Sequence, residues 1–173
     1  MEIAVQPVSS KDVAAVSHVA QITFAMAGPS DSSQEEIKRY IDEHLNEAEL
    51  QQLVQSDEFF FAHARHEDHP IGYIVVKYCS RLPDIYESDS FAQLQRLYVL
   101  PKYHGTISAK SLVTEAFRAC SNKNVNRIWL SVFSENDRAK RFYSKFGFQE
   151  IGSTIFKMGN EDHLDTLMMA NVT

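Results

Sequence analysis

The chain has 173 residues, of which 44% are apolar and 23% charged, and a formal net charge of −6. That length can close one core over roughly 70% of the surface its unfolded chain would expose, without metal or disulfide support. The acidic balance excludes a general nucleic-acid binder, whose basic face displaces counterions from phosphates, and it suits small cationic partners.

Residues 3 to 8 predict a short strand. Ser9 and Asp12 follow at capping-box spacing, before Val13, Val16, Ala20, Thr23 and Phe24 at helical intervals. Gly28-Pro29 interrupts, and Ser33 with Glu36 offers a second capping box ahead of Ile37, Tyr40, Ile41, Leu45 and Ala48, with a break near Asn46. Residues 59 to 66 and 71 to 79, rich in aromatic and β-branched side chains, predict a hairpin around Glu67-Asp68-His69-Pro70. Residues 81 to 90 read as a loop and 93 to 100 as a strand that ends at Pro101. Ala109, Leu112, Val113, Ala116, Phe117 and Cys120 form the apolar stripe of a helix. Residues 127 to 133 are a strand, 137 to 146 a short helix stopped by Gly147, and 151 to 157 with 166 to 172 a hairpin around Gly159-Asn160. The predicted order, β-α-α-β-β-β-α-β-α-β-β, is that of one α+β domain with a mixed sheet over residues 1–173.

No run reaches the ~18 apolar residues of a membrane span, and the start MEIAVQPVSSKD lacks the pattern of a secretory signal. Cys79 and Cys120 have no metal-type spacing and read as buried small hydrophobes in a reducing compartment, so the expected location is cytoplasmic. His63, His66 and His69 with Glu67 and Asp68 raise the question of a metal. Their spacing does not match a closed zinc site, and His63 and His66 fall on opposite strand faces, so no metal is expected.

Two segments carry chemistry. LQRLYVLPKYHGTISAKSLVTEAF, residues 94 to 117, is a strand, a proline stop, a small-residue loop and a helix, an arrangement that aims backbone amides and a helix N-terminus at one spot where a pyrophosphate can sit. A plain β-α turn reads the same way. IWLSVFSENDRAKRFYSKFGF, residues 128 to 148, runs from a strand into a helix on which Asn136 and Tyr143 lie two turns apart on nearly one face. Asn136 is equally readable as a helix cap and Tyr143 as a half-buried core tyrosine.

Together, in this order, the two segments resemble the GNAT superfamily of N-acetyltransferases. Its later hallmark, N-x-x-A-x-x-F-Y-x-x-x-G-F, is complete here as Asn136, Ala139, Phe142, Tyr143, Gly147 and Phe148. Its loop pattern, [QR]-x-x-G-x-[GA], is altered: His104 replaces Gln/Arg, Ile107 replaces the first glycine, Ala109 fits, and Gly105 stands between. A β-branched Ile107 resists positive φ and close approach to phosphate, which would weaken cofactor binding; a helix start needs neither property at every position, so the amides of residues 105 to 110 stay able to hold the pyrophosphate. FFFAHA, IGYIVVKY, QRLYV, RIWLSVFSEN, RFYSKFGF and FKMGNEDHLDTLMM resemble the PaiA-type polyamine acetyltransferases over nearly the whole chain.

The resemblance implies a mostly antiparallel mixed sheet of about seven strands flanked by about four helices. It also implies acetyl-CoA as co-substrate, with the main chain of Leu97, Tyr98 and Val99 aligning the pantetheine arm. His104, Gly105, Thr106, Ile107, Ser108, Ala109 and Lys110 would hold the pyrophosphate, with Lys145 nearby. Asn136 would bond the pantetheine and Tyr143 would give a proton to the departing thiolate. The acceptor is expected to be a primary amine, such as the polyamine spermidine, and the protein a monomer or homodimer. The family's usual strand-four glutamate is absent: Gln93 and Gln95 stand there, and neither can be a base. Glu58, His63, Glu87 or a water chain are conceivable, and no base is assigned. A peptide acetyltransferase and a non-catalytic acyl-CoA sensor on the same fold stay open as alternatives.

Overall fold

The computed structural model describes residues 1–28, 31–83 and 91–173. The elements are β1 (Ile3–Pro7), α1 (Val13–Ala27), α2 (Gln34–His44), α3 (Glu47–Gln55), β2 (Phe59–His66), β3 (His69–Lys77), β4 (Phe91–Val99), a 3-10 turn (Pro101–Tyr103), α4 (Ser108–Asn122), β5 (Arg127–Phe133), α5 (Asp137–Ser144), β6 (Gln149–Met158) and β7 (Glu161–Asn171). The seven strands form one sheet in the order β1-β2-β3-β4-β5-β7-β6. Every pair is antiparallel except β4 with β5, which the α4 crossover makes parallel. The expected mixed α+β sheet is therefore present, with five helices rather than about four. The fifth arises at Asn46, whose Oδ1 accepts the Glu49 amide at 3.0 Å and starts a separate helix where α2 has closed at Leu45.

Helix α4 covers one face of the sheet, burying Leu112, Val113 and Ala116 against Ile74, Val76, Ile128 and Met168. Helices α1 to α3 cover the other, where Val16, Ala20 and Leu50 meet Tyr73, Val75 and Met158. Neighbouring residues of β3 serve opposite faces, as the two-residue period of a strand requires. Each such aliphatic side chain contributes about 1.5–3 kcal/mol by leaving water.

Several local expectations change. Cys120 is buried but Cys79 is exposed, at φ 51, where the chain turns away from β3. Ser9 is not the cap of α1: Asp12 holds that place, and its Oδ2 accepts the Ser9 amide and hydroxyl at 2.9 and 2.6 Å. Ser33 does cap α2 through the Glu36 amide at 3.2 Å, while the Glu36 carboxylate turns to Arg39 instead of back to Ser33. Of the loop expected at 81 to 90, residues 84–90, Glu87 included, lie outside the described residues.

Two features of the frame position the site. The first is a bulge: Val75 faces Arg96 while Val76 faces Leu94, so Gln95 is an extra residue on β4 and bends the strand. Consequently β4 and β5 pair only from Phe91–Gln93 to Arg127–Trp129 and then part. The second is a joint between distant parts of the chain. Ser33 N–H donates to Glu161 Oε1 at 3.0 Å, and the Ser32 hydroxyl meets His163 Nε2 at 3.2 Å, which ties the start of α2 to the β6–β7 hairpin.

Candidate active site

Where β4 and β5 diverge, they leave a cleft of about 1210 Å³ that runs from the α1–α2 side of the sheet to the N-terminus of α4. Its floor is a free strand edge. The Leu100 amide donates to Ile71 O at 2.8 Å, so the alternation along β4 turns Tyr98 toward β3 and leaves the main-chain groups of Leu97 and Val99 facing the opening. Of the three residues expected to align a pantetheine arm, two thus present their backbone to the cleft. Tyr98 contributes its side chain instead, stacked on Tyr73 at 5.9 Å between centroids.

At the far end stands the loop before α4. Gly105 takes φ 78, the one conformation in the loop that needs a glycine. Ile107 sits at φ −69, ψ −11 with its side chain 56% exposed. The expected conflict at Ile107 is therefore absent: the position asks for ordinary helical backbone, and its side chain points away into solvent. Ser108 is also corrected, since it is fully buried, its Oγ lies 2.7 Å from Thr106 Oγ1, and its amide donates to that same oxygen at 3.3 Å. Among the described residues no acceptor stands on the amides of Gly105, Ile107, Ala109 and Lys110. These are the orphan donors of a helix start, and they carry its positive end. Lys110, Arg138, Arg141 and Lys145 line the same end of the cleft, so an acidic chain places four cations at one spot. His104 lines it too, but its Nε2 donates to Val99 O at 2.8 Å and thereby closes part of the β4 edge.

Helix α5 supplies the other wall. Asn136 is its cap, accepting the Ala139 amide at 3.1 Å on Oδ1, and it lines the cleft with its side-chain Nδ2 donors free of partners among the described residues. Tyr143 is half-buried, packed edge-on against Phe142 and Phe148 at 5.4 and 5.6 Å. Burial, and secondarily the Tyr98 phenol, push the Tyr143 hydroxyl well above the usual phenol range, so it is protonated at neutral pH.

Toward α1 and α2 the cleft becomes aromatic. Phe24 and Tyr40 stack at 4.4 Å, and Tyr98 and Phe156 close around them at 6.4 and 6.0 Å. Burial pushes the Tyr98 phenol up to about 12. Asp165 of β7 also reaches this end.

The conceivable bases do not gather here. Glu58 is exposed and Gln93 accepts from Ser80 and Gln95, while only Gln95 of the two glutamines lines the cleft. His63 is buried on β2, 3.1 Å from Gln6 Nε2 and 3.9 Å from Asp12, away from the cleft, and burial pulls its pKa down. His66 turns to the Tyr103 hydroxyl at 3.3 Å, and no three His, Cys, Asp or Glu side chains converge on one point among the described residues. Nor, among them, is any helix long and apolar enough to cross a membrane.

The chain matches the model of the acetyltransferase (GNAT) family over residues 25–148. An uncharacterized N-acetyltransferase of Mycobacterium tuberculosis is 31% identical over 151 residues, 87% of this chain and 92% of that one. Among solved structures, the PaiA N-acetyltransferase of Thermoplasma acidophilum, in complex with coenzyme A, is 25% identical with a TM-score of 0.82 and 99% of each chain covered. A probable acetyltransferase of Staphylococcus epidermidis shares the fold at TM-score 0.76 and 18% identity, over 99% of this chain and 100% of that one.

Proposed function

The chain belongs to the acetyltransferase (GNAT) family and uses acetyl-CoA to acetylate an amine, and we propose that its acceptor is a small polycation such as spermidine, attacked directly in a ternary complex. The observation that carries this reading is the division of the cleft: cationic and amide-rich at one end, aromatic at the other, with the free β4 edge between. Phosphates match the first end, where the amides of residues 105, 107, 109 and 110 and the side chains of Lys110, Arg138, Arg141 and Lys145 would hold them. The second end suits an alkylammonium, because the faces of Phe24, Tyr40, Tyr98 and Phe156 attract cations.

The remaining roles follow from position. The Leu97 and Val99 main chain would align the pantetheine as an added strand, and the Asn136 N–H groups would bond its side. Tyr143 would hand its proton to the sulfur as the C–S bond breaks, which requires a phenol that is protonated throughout the working range. Thr106 and Ser108, bonded to each other, would stiffen the loop rather than touch phosphate. The test is CoA release across spermidine, spermine, monoamines, amino acids and short peptides. Turnover is expected to be highest on the polyamines; turnover on peptides alone would make the protein a peptide acetyltransferase, and acetyl-CoA binding without turnover would make it a sensor.

A further inference from the structure

An alkylammonium must lose a proton before its nitrogen can attack a thioester, and β4 carries Gln93 and Gln95 at the positions of the family's usual glutamate. The cleft nevertheless contains one. Among the described residues that line it, Asp165 is the only Asp or Glu. It lies on β7 opposite Phe133 of β5, 7% exposed, on the same strand face as Leu167 and Met169. A buried carboxylate carries a large desolvation cost unless something at the site uses it. The Ser131 hydroxyl on β5 is its neighbour. The Tyr98 phenol, which the Asp165 carboxylate and the Tyr143 phenol both neighbour, stacks on Tyr73, whose hydroxyl is fully buried, lines the cleft and has no hydrogen-bond partner among the described residues. An unpaired buried hydroxyl in a cleft with a single lining carboxylate marks a place where a polar, cationic ligand completes the bonding.

We infer that Asp165 is the general base, receiving the proton of the acceptor's ammonium where β7 borders the acceptor end of the cleft. The inference rests on the acetyltransferase reading and supplies the step that reading lacks. The ammonium gives one proton to the Asp165 carboxylate, and the freed nitrogen lone pair forms the C–N bond with the acetyl carbonyl carbon. The C–S bond then breaks, the sulfur leaving with the Tyr143 proton. The second surplus proton on nitrogen returns to the Tyr143 oxygen, and Asp165 releases its proton to solvent, so the sum is acetylamide, CoA thiol and one proton.

The electrostatics agree with the geometry. Burial pushes the Asp165 carboxyl above the ordinary carboxylate range, against the opposing pull of the Ser131 hydroxyl and of His163. A higher proton affinity makes a better base near neutral pH. The titratable groups that act on it are His163 on its own strand and the Tyr98 phenol on β4, and Tyr98 in turn neighbours Arg96 on β4 and Tyr40 on α2.

The experiment is steady-state CoA release by the full chain between about pH 6 and 9.5, with spermidine or whichever panel amine turns over fastest, beside calorimetry with acetyl-CoA. Asp165→Asn is expected to keep the acetyl-CoA Kd within about threefold and to lose about 10²–10⁴-fold in kcat. The wild-type kcat/KM should rise with pH through an acidic limb above the ordinary carboxylate range, because only the unprotonated base works, and that limb should vanish in the variant. A variant within about threefold of wild-type kcat overturns the assignment. So does a raised acceptor KM with kcat preserved, which would make Asp165 an ammonium anchor. If the variant no longer binds acetyl-CoA, the wild-type profile decides, and a profile without that limb overturns the base. A wild type that binds acetyl-CoA yet turns over no amine defeats the acetyltransferase reading itself.

Discussion

The imidazole of His104 donates a 2.8 Å hydrogen bond to the carbonyl of Val99, bridging the turn that the 3-10 segment makes between β4 and α4. The ring therefore braces the end of the free strand edge against the phosphate-facing loop, and the carbonyl it occupies is withdrawn from pairing with a ligand. Losing one such bond costs about 0.5–1.5 kcal/mol. His104→Ala should raise KM for acetyl-CoA by roughly two- to tenfold with kcat nearly unchanged, and His104→Gln, which keeps an N–H donor, should recover most of the loss. Steady-state kinetics with acetyl-CoA varied decides it.

Tyr143→Phe removes only the hydroxyl, since the ring contacts with Phe142 and Phe148 persist. Turnover should fall by about 10²-fold or more while KM and Tm hold near wild type, because a proton donor acts in the transition state. Unchanged kcat would return the residue to a packing role.

Ile107 occupies ordinary helical backbone, so restoring the family's glycine there offers no closer approach. Ile107→Gly should leave the acetyl-CoA Kd within about twofold by calorimetry and lower stability by about 0.5–1 kcal/mol through backbone entropy. Gly105→Ala differs: at φ 78 with open space around it, the substitution carries a purely conformational cost of about 1–2 kcal/mol.

Gly159 turns the β6–β7 hairpin at φ 60, and a methyl group there would lie 1.7 Å from Glu36 Oε2. Glu36 would have to leave Arg39, so Gly159→Ala should destabilise by about 1–3 kcal/mol. Glu36→Ala should relieve the steric share only, giving a non-additive double-mutant cycle in denaturant unfolding.

The sequence pattern exposed β5 to the residue, the α4 stripe, and the Asn136–Tyr143 relation, because periodicity and a complete hallmark mark them directly. It did not expose the divergence of β4 from β5, which depends on a bulge at Gln95 set by register against β3. It also placed the start of the last strand at 166, one residue after Asp165, and so passed over the cleft's carboxylate. The signal was present: Asp165, Leu167 and Met169 alternate onto one face, and a buried acid next to apolar residues in that alternation marks a carboxylate the fold keeps from water. At Ile107 the helix-start reading matches the observed backbone, whose φ is already helical and asks for no glycine.

The bonds from Ser32 and Ser33 to His163 and Glu161 have an evolutionary corollary. In the proposed reading the nucleotide would be gripped by residues between 97 and 145, whereas the amine's end of the cleft also draws on Phe24 and Tyr40 from the first third of the chain and Phe156 and Asp165 from the last, clasped together. On that reading, substitutions at those four positions would change which amine is taken and leave the acetyl source the same.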